Sequence, residues 1–232
     1  MKRPTLRHLF LAAAIGLTSL PALAHEVWIE DTPAGALVVR FAEYGEDFET
    51  SPGHLDSLAL PESWIAGADG SVTKVVVAKA SDHFSLADTN PKLSVQAETI
   101  FDVIGGKPGG KGDQAGPSRR PFFYARWHVV GAEPAKPTLN LDLVPTGKPG
   151  EVCVYFRGKP LPDIAVNAHL PEGKEVELKS DKDGLVTVPV DKSGFYMLHC
   201  KRYREIINGF SGGKPYTAVS HNCSVAWRQP AK

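Results

Sequence analysis

The sequence predicts an all-β chain made of two sandwich-like modules in tandem. Three observations predict it. Period-two alternation of apolar and polar residues recurs along the chain. Nineteen Pro and 22 Gly punctuate these runs about as often as a β-sandwich requires. Stretches with a helical period are scarce.

The first 24 residues read as a secretory leader rather than as part of the fold. Lys2, Arg3 and Arg7 make a basic start, and Leu9 to Leu17 is a short apolar run. Pro21 breaks it, and Ala22-Leu23-Ala24 has the small-x-small pattern of a cleavage site. The run falls short of the roughly 20 apolar residues that a bilayer-spanning helix needs. Cleavage after Ala24 would leave a soluble, periplasmic product of 208 residues beginning at His25. Loss of three leader cations lowers the basic count from 26 to 23 against 26 acidic residues, a net charge of −3. That balance argues against nucleic acid as a partner.

Residues 25–145 form the expected first module. A strand from Val27 turns at Ala34-Gly35 into a second, Ala36 to Phe41; Trp28, alternating against Val27 and Ile29, points to solvent or to a module junction. Residues 42–66 read as irregular, and Asp69-Gly70 precedes a strand from Val72 to Ala78. Lys92 to Ile104 and Pro121 to Val130 alternate cleanly, with Leu93, Val95, Ala97, Phe101 and Val103 on one face and Phe123, Ala125, Trp127 and Val129 on another. They read as an antiparallel hairpin with a Gly-rich tip at 105–112, placing Glu98 beside Arg126 as an ion pair and Gln96 beside His128. Pro134, Pro137, Pro145 and Pro149 mark a boundary, with a short strand at Leu139 to Leu143 carried across it.

Residues 146–232 form the second module. Strands are expected at Val152–Phe156, Ile164–Leu170, Glu175–Lys179, Leu185–Val190, from Phe195, and at Tyr216–Trp227. Gly158-Lys159-Pro160-Leu161 with Ala165-Val166, then Ser180-Asp181 to Gly184, then Gly194-Phe195-Tyr196 resemble the marks of the carboxypeptidase-regulatory, transthyretin-like β-sandwich. That resemblance covers about 80 residues and implies a fold, not an activity.

A second resemblance spans most of the chain beyond the leader. Ala24-His25-Glu26-Val27-Trp28-Ile29-Glu30, Phe123-Tyr124-Ala125-Arg126 and Leu139-Asn140-Leu141-Asp142-Leu143-Val144-Pro145 resemble the NikM-like exported bacterial proteins, a family of unknown function labelled after nickel uptake. The resemblance implies handling or uptake of a transition metal, with a membrane metal transporter or outer-membrane receptor as partner.

The residues carry a matching expectation. A terminal histidine offers an α-amine and a ring Nδ1 that can chelate one ion, and imidazole suits nickel, cobalt and copper. His25 is the first expected ligand and His128 the second; Glu26 and Glu30 are weaker oxygen donors, because alternation turns them from the His25 side chain. His54 and His83 lie in loops, where such residues are more often polar filler. His199, Cys200, His221 and Cys223 form another constellation on adjacent strands. Cys200 and Cys223 share a face and His199 points away, so a thiolate–imidazole site competes there with a disulfide, or packed thiols, beside a satisfied core histidine. Cys153 is the odd thiol and is expected only to pack. No HExxH or Walker pattern is present. Two other readings stay open: a protein- or glycan-binding module using Trp28, Trp64, Trp127 and Phe122 as a platform, and a copper enzyme with a terminal-histidine brace.

Overall fold

The computed structural model describes residues 25–67, 71–107 and 116–231. The expected leader, the Asp69-Gly70 turn and most of the Gly-rich tip lie outside the described residues. Within them the chain is all-β, with one short 3-10 turn at His54–Ser57 and no α-helix.

The strands make three layers. The first sheet has the order β1-β2-β6-β5, from β1 (Glu26–Asp31), β2 (Leu37–Ala42), β5 (Val77–Lys79) and β6 (Phe84–Leu86). The central sheet has eight strands, β13-β12-β15-β18-β8-β7-β3-β4. Its members are β3 (Glu62–Ala66), β4 (Val72–Val75), β7 (Val95–Ile100), β8 (Arg119–Trp127), β12 (Ala165–His169), β13 (Glu175–Lys179), β15 (Gly194–Glu205) and β18 (Ala218–Gln229). The third sheet centres on β10 (Glu151–Phe156), which pairs with β9 (Leu141–Pro145), β11 (Lys159–Pro160) and β14 (Leu185–Thr187). A small hairpin, β16 (Gly209–Ser211) with β17 (Lys214–Tyr216), stands apart.

Alternation along the central strands builds two cores, because successive side chains leave a sheet on opposite faces. On β8, Phe123, Ala125 and Trp127 join Val27, Ile29, Val39 and Phe41 of the first sheet. Tyr124, between them, joins Leu141, Leu143, Val152 and Val154 of the third. The same split divides Met197 from Tyr196 and Leu198, and Ala226 from Val225 and Trp227. The expected 145/146 boundary falls between β9 and β10, which pair with each other, and strands from both halves share the central sheet. β18 joins β8 in parallel, Cys223 opposite Tyr124.

Several expectations need correction. The β7–β8 hairpin exists, but Gln96 faces Arg126 and Glu98 faces Tyr124. The expected Glu98–Arg126 ion pair does not form. Arg126 turns instead to Asp142, donating from Nε (3.1 Å) and Nη2 (2.6 Å), and both side chains are buried. His128 lies beyond the end of β8, where its backbone N–H donates to Ala226. Trp28 is fully buried, its indole N–H held by Glu30 at 2.9 Å. The run Val72 to Ala78 splits at exposed Val76, which hands the chain from the central sheet (β4) to the first (β5). Residues 42–66 hold β3 as well as the 3-10 turn.

The transthyretin-like marks have local physical roles. Arg157 (φ 50°) and Gly158 (φ 73°) make the two-residue turn from β10 into β11, where both positions need positive φ. The buried Ser180 hydroxyl donates to Leu161 and accepts from the Ile164 N–H, and Asp181 accepts from the Asp183 and Leu185 N–H groups. Burial of eight strands' worth of apolar side chains supplies the driving force, at about 25 cal/mol per Å² removed from water.

Candidate metal centre

β1 crosses the central sheet near β18 and β8, and the Val27 carbonyl accepts from Ser224 Oγ at 2.7 Å. His25, which precedes β1, and Glu26, its first residue, join different groups of side chains. His25 enters a pocket of about 30 Å³ with Phe41, Phe101, Phe123, His54, Arg119, Arg202 and Asn222 on its walls. Glu26 enters the buried space against β15 and β12.

On the His25 side, two imidazoles converge on one carboxylate. His25 Nε2 lies 2.5 Å and His54 Nδ1 3.2 Å from the same oxygen of Glu49. The two rings meet edge-on, 4.7 Å between centroids, and both pack against Phe41. The loop after β2 places these groups. Glu49 returns its N–H to Phe41, and Leu55 donates to Thr50. Gly53 makes the tight corner: a Cβ there would lie 2.8 Å from the Thr50 carbonyl oxygen. Asp56 closes it by accepting from the Gly53 N–H. Burial alone would raise the Glu49 carboxyl, but hydrogen bonds and charge from His25 and His54 outweigh it and hold it below the usual range. His25 Nδ1 is buried with no hydrogen-bond partner among the described residues.

On the Glu26 side, His169 Nε2 and His199 Nε2 lie 3.0 Å apart, and His199 Nε2 lies 3.7 Å from Glu26 Oε1. The Lys201 ammonium holds the same oxygen, and Glu26 Oε2 accepts from the Tyr44 N–H at 2.8 Å. Burial pushes His199 down to about 2, aided by Lys201 and His169, so its ring is neutral. Burial likewise lowers His169 and raises Glu26. Each trio, His25–Glu49–His54 and Glu26–His169–His199, has donor atoms within 4.8 Å of one another.

The other expected groups lie elsewhere. His128 is not brought to His25. It lines a separate pocket of about 170 Å³ with Val130, Pro145, Lys148 and Trp227, past Trp127 at the far end of β8. Five residues of strand separate it from Phe123 on the His25 pocket wall, about 17 Å of chain. His83 spends its ring nitrogens on its neighbours Asp82 (2.7 Å) and Ser85 (3.1 Å). His221 is a satisfied core histidine, bonded to Tyr124 Oη (3.0 Å) and Glu205 (2.9 Å). Cys200 and Cys223 are cross-strand partners on the third-sheet side, with His199 on the other face, and all three thiols are buried and unbridged. Trp28 and Trp127 belong to one core, while Trp64 and Phe122 pack against the other, so the four rings share no surface.

Glu49 and His169 were not singled out from the sequence. Glu49 sits in a segment without periodicity, five residues before His54; that spacing around Pro52-Gly53 was its one local signal. His169 becomes visible only when β12 is laid on β15, with Asn167 opposite His199.

No protein-family model matches the chain, and no curated protein matches it. Among the described residues no helix is long and apolar enough to cross a membrane.

Proposed function

We propose that the protein is an exported binder of a late first-row transition ion, nickel, cobalt or copper, with the His25 pocket as its site. The observation that carries this reading is the buried, unpartnered Nδ1 of His25. A buried ring nitrogen left without a partner costs about 1–3 kcal/mol, and a ligand is one way to recover it. Glu49 on Nε2 is the arrangement by which carboxylates orient metal-bound histidines, since it fixes the proton on Nε2 and leaves the lone pair on Nδ1. If the leader is cut after Ala24, the free amine of His25 itself joins that lone pair and completes a chelate. His54 supplies a second imidazole at the same pocket. Imidazole and amine nitrogens fit nickel, cobalt and copper, with intrinsic affinity rising toward copper.

The pocket's histidines and Glu49 are partly open to solvent. Capture of an ion and its presentation to a membrane transporter or receptor suits that openness. The NikM-like resemblance points the binding toward uptake or homeostasis.

The test is calorimetric titration of Ni²⁺, Co²⁺ and Cu²⁺ into protein released with His25 first. One glycine added ahead of His25, or His54→Ala, is expected to weaken binding at least 10-fold, and Glu49→Gln about 10–100-fold. Affinity unchanged by both the extension and His25→Ala would remove the site. Oxidant-dependent turnover of the copper form would reassign it to an enzyme.

A further inference from the structure

We infer that Glu26, His169 and His199 form a second cation site, in which the Lys201 ammonium stands where a divalent ion binds once the lysine is displaced. This site needs neither export nor a free amine, so it does not depend on the reading above.

Its donor set is two imidazoles and one carboxylate, a set that suits zinc and other borderline divalent ions. Two of the three donor separations are close to those of a loaded site, and the third lies within 4.8 Å. Donors at 2.0–2.1 Å from a tetrahedral ion stand about 3.3 Å apart, and here the separations are 3.0 Å (His169 to His199) and 3.7 Å (His199 to Glu26). The two rings are inclined by only 12°, with centroids 5.0 Å apart. With their Nε2 atoms at 3.0 Å, that makes them edge to edge, lone-pair edges facing. One proton now joins them; an ion taking both nitrogens would sit about 1.4 Å off that line, with both rings turned to aim their lone pairs at it.

The surroundings hold these groups in place. Tyr44 lies on the His169 ring at 4.4 Å, and its N–H occupies the other Glu26 oxygen, leaving Oε1 for the ion. His199 Nδ1 is buried and has no hydrogen-bond partner among the described residues.

Lys201 is the competitor. It sits beside the bulge that shifts β15 between Cys200 and Tyr203, and its side chain is 29% exposed while Glu26 is 5% exposed. The lysine has a path to water that the glutamate lacks. Removing its charge relieves repulsion on an entering dication and frees Oε1.

The experiment uses the chain with the first site disabled by His25→Ala and His54→Ala, titrated with Co²⁺ followed by its visible absorption, then with competing Zn²⁺. One residual equivalent with the intense bands of low-coordinate cobalt is expected. Lys201→Met should tighten it about tenfold, as removal of one unit charge a few ångströms away implies. His169→Asn should weaken it at least about tenfold. His169 is only partly buried, and circular dichroism checks that each variant is folded. Absence of the equivalent in the folded Lys201→Met background would overturn the assignment. So would an equivalent that His169→Asn leaves untouched. Because the first site is removed throughout, its own failure is read separately, as unchanged stoichiometry on going from wild type to His25→Ala.

Discussion

His25 and His128 stand at opposite ends of the central sheet, and their surroundings give them different chemistry. His128 lines a pocket with Trp227 and Pro145, and burial, then the charge of Arg126, pushes it down to about 4. Unfolded, the same ring titrates near 6.5. A depressed folded value means that the unfolded chain takes up the proton first. The stabilisation is therefore complete above pH 6.5 and disappears as pH falls toward 4, by up to about 3 kcal/mol. Urea unfolding at pH 7 and pH 4.5 should show His128→Phe losing less stability than wild type over that interval. The Arg126–Asp142 pair is the other decisive residue-scale feature, since Asp142 also accepts from the Thr138 and Leu139 N–H groups. Asp142→Ala strands a buried guanidinium and should cost about 3–5 kcal/mol in urea unfolding, and Asp142→Leu with Arg126→Met should recover much of it. Neither partner was legible from local pattern: Arg126 occupies the polar face of an alternating strand, and alternation says nothing about the sheet that covers that face.

The elements were legible where one strand's own period sufficed. β7 and β8 follow their apolar alternation, β10 follows its apolar run, and the turns at Arg157-Gly158 and Asp181–Gly184 follow their turn residues. The β7–β8 register was two residues off because the intervening residues give no turn of fixed length. The segment after β2 was opaque for a different reason. Its shape comes from hydrogen bonds of Glu49 to Phe41 and of Asp56 to Gly53, not from a period. Gly53→Ala is the test of that loop. The added Cβ meets the Thr50 oxygen at 2.8 Å, so the corner must open. A loss of about 1–3 kcal/mol is expected from strain at such a corner, together with weaker nickel binding as His54 leaves Glu49. Unchanged nickel affinity would show that His54 is not held to the site by this turn.

At the scale of the whole molecule, the decisive contact is the parallel pairing of β8 with β18, residues about a hundred positions apart. No local period announces it, which is why the all-β class was legible and the shared sheet was not. Because that sheet takes strands from both halves, unfolding followed by tryptophan fluorescence and by circular dichroism should give one coincident transition. Two separated transitions would show that the halves are independent. The same topology sets an order of events in the life of the chain. The Val27 carbonyl is held by Ser224, and Asp31 by Arg228. The strand that follows His25 and opens with Glu26 thus docks on β18, about 200 residues further along the chain. A nascent polypeptide has the ligands of its opening residues long before it has the surface that gathers them. Neither pocket can close until β18 has been made.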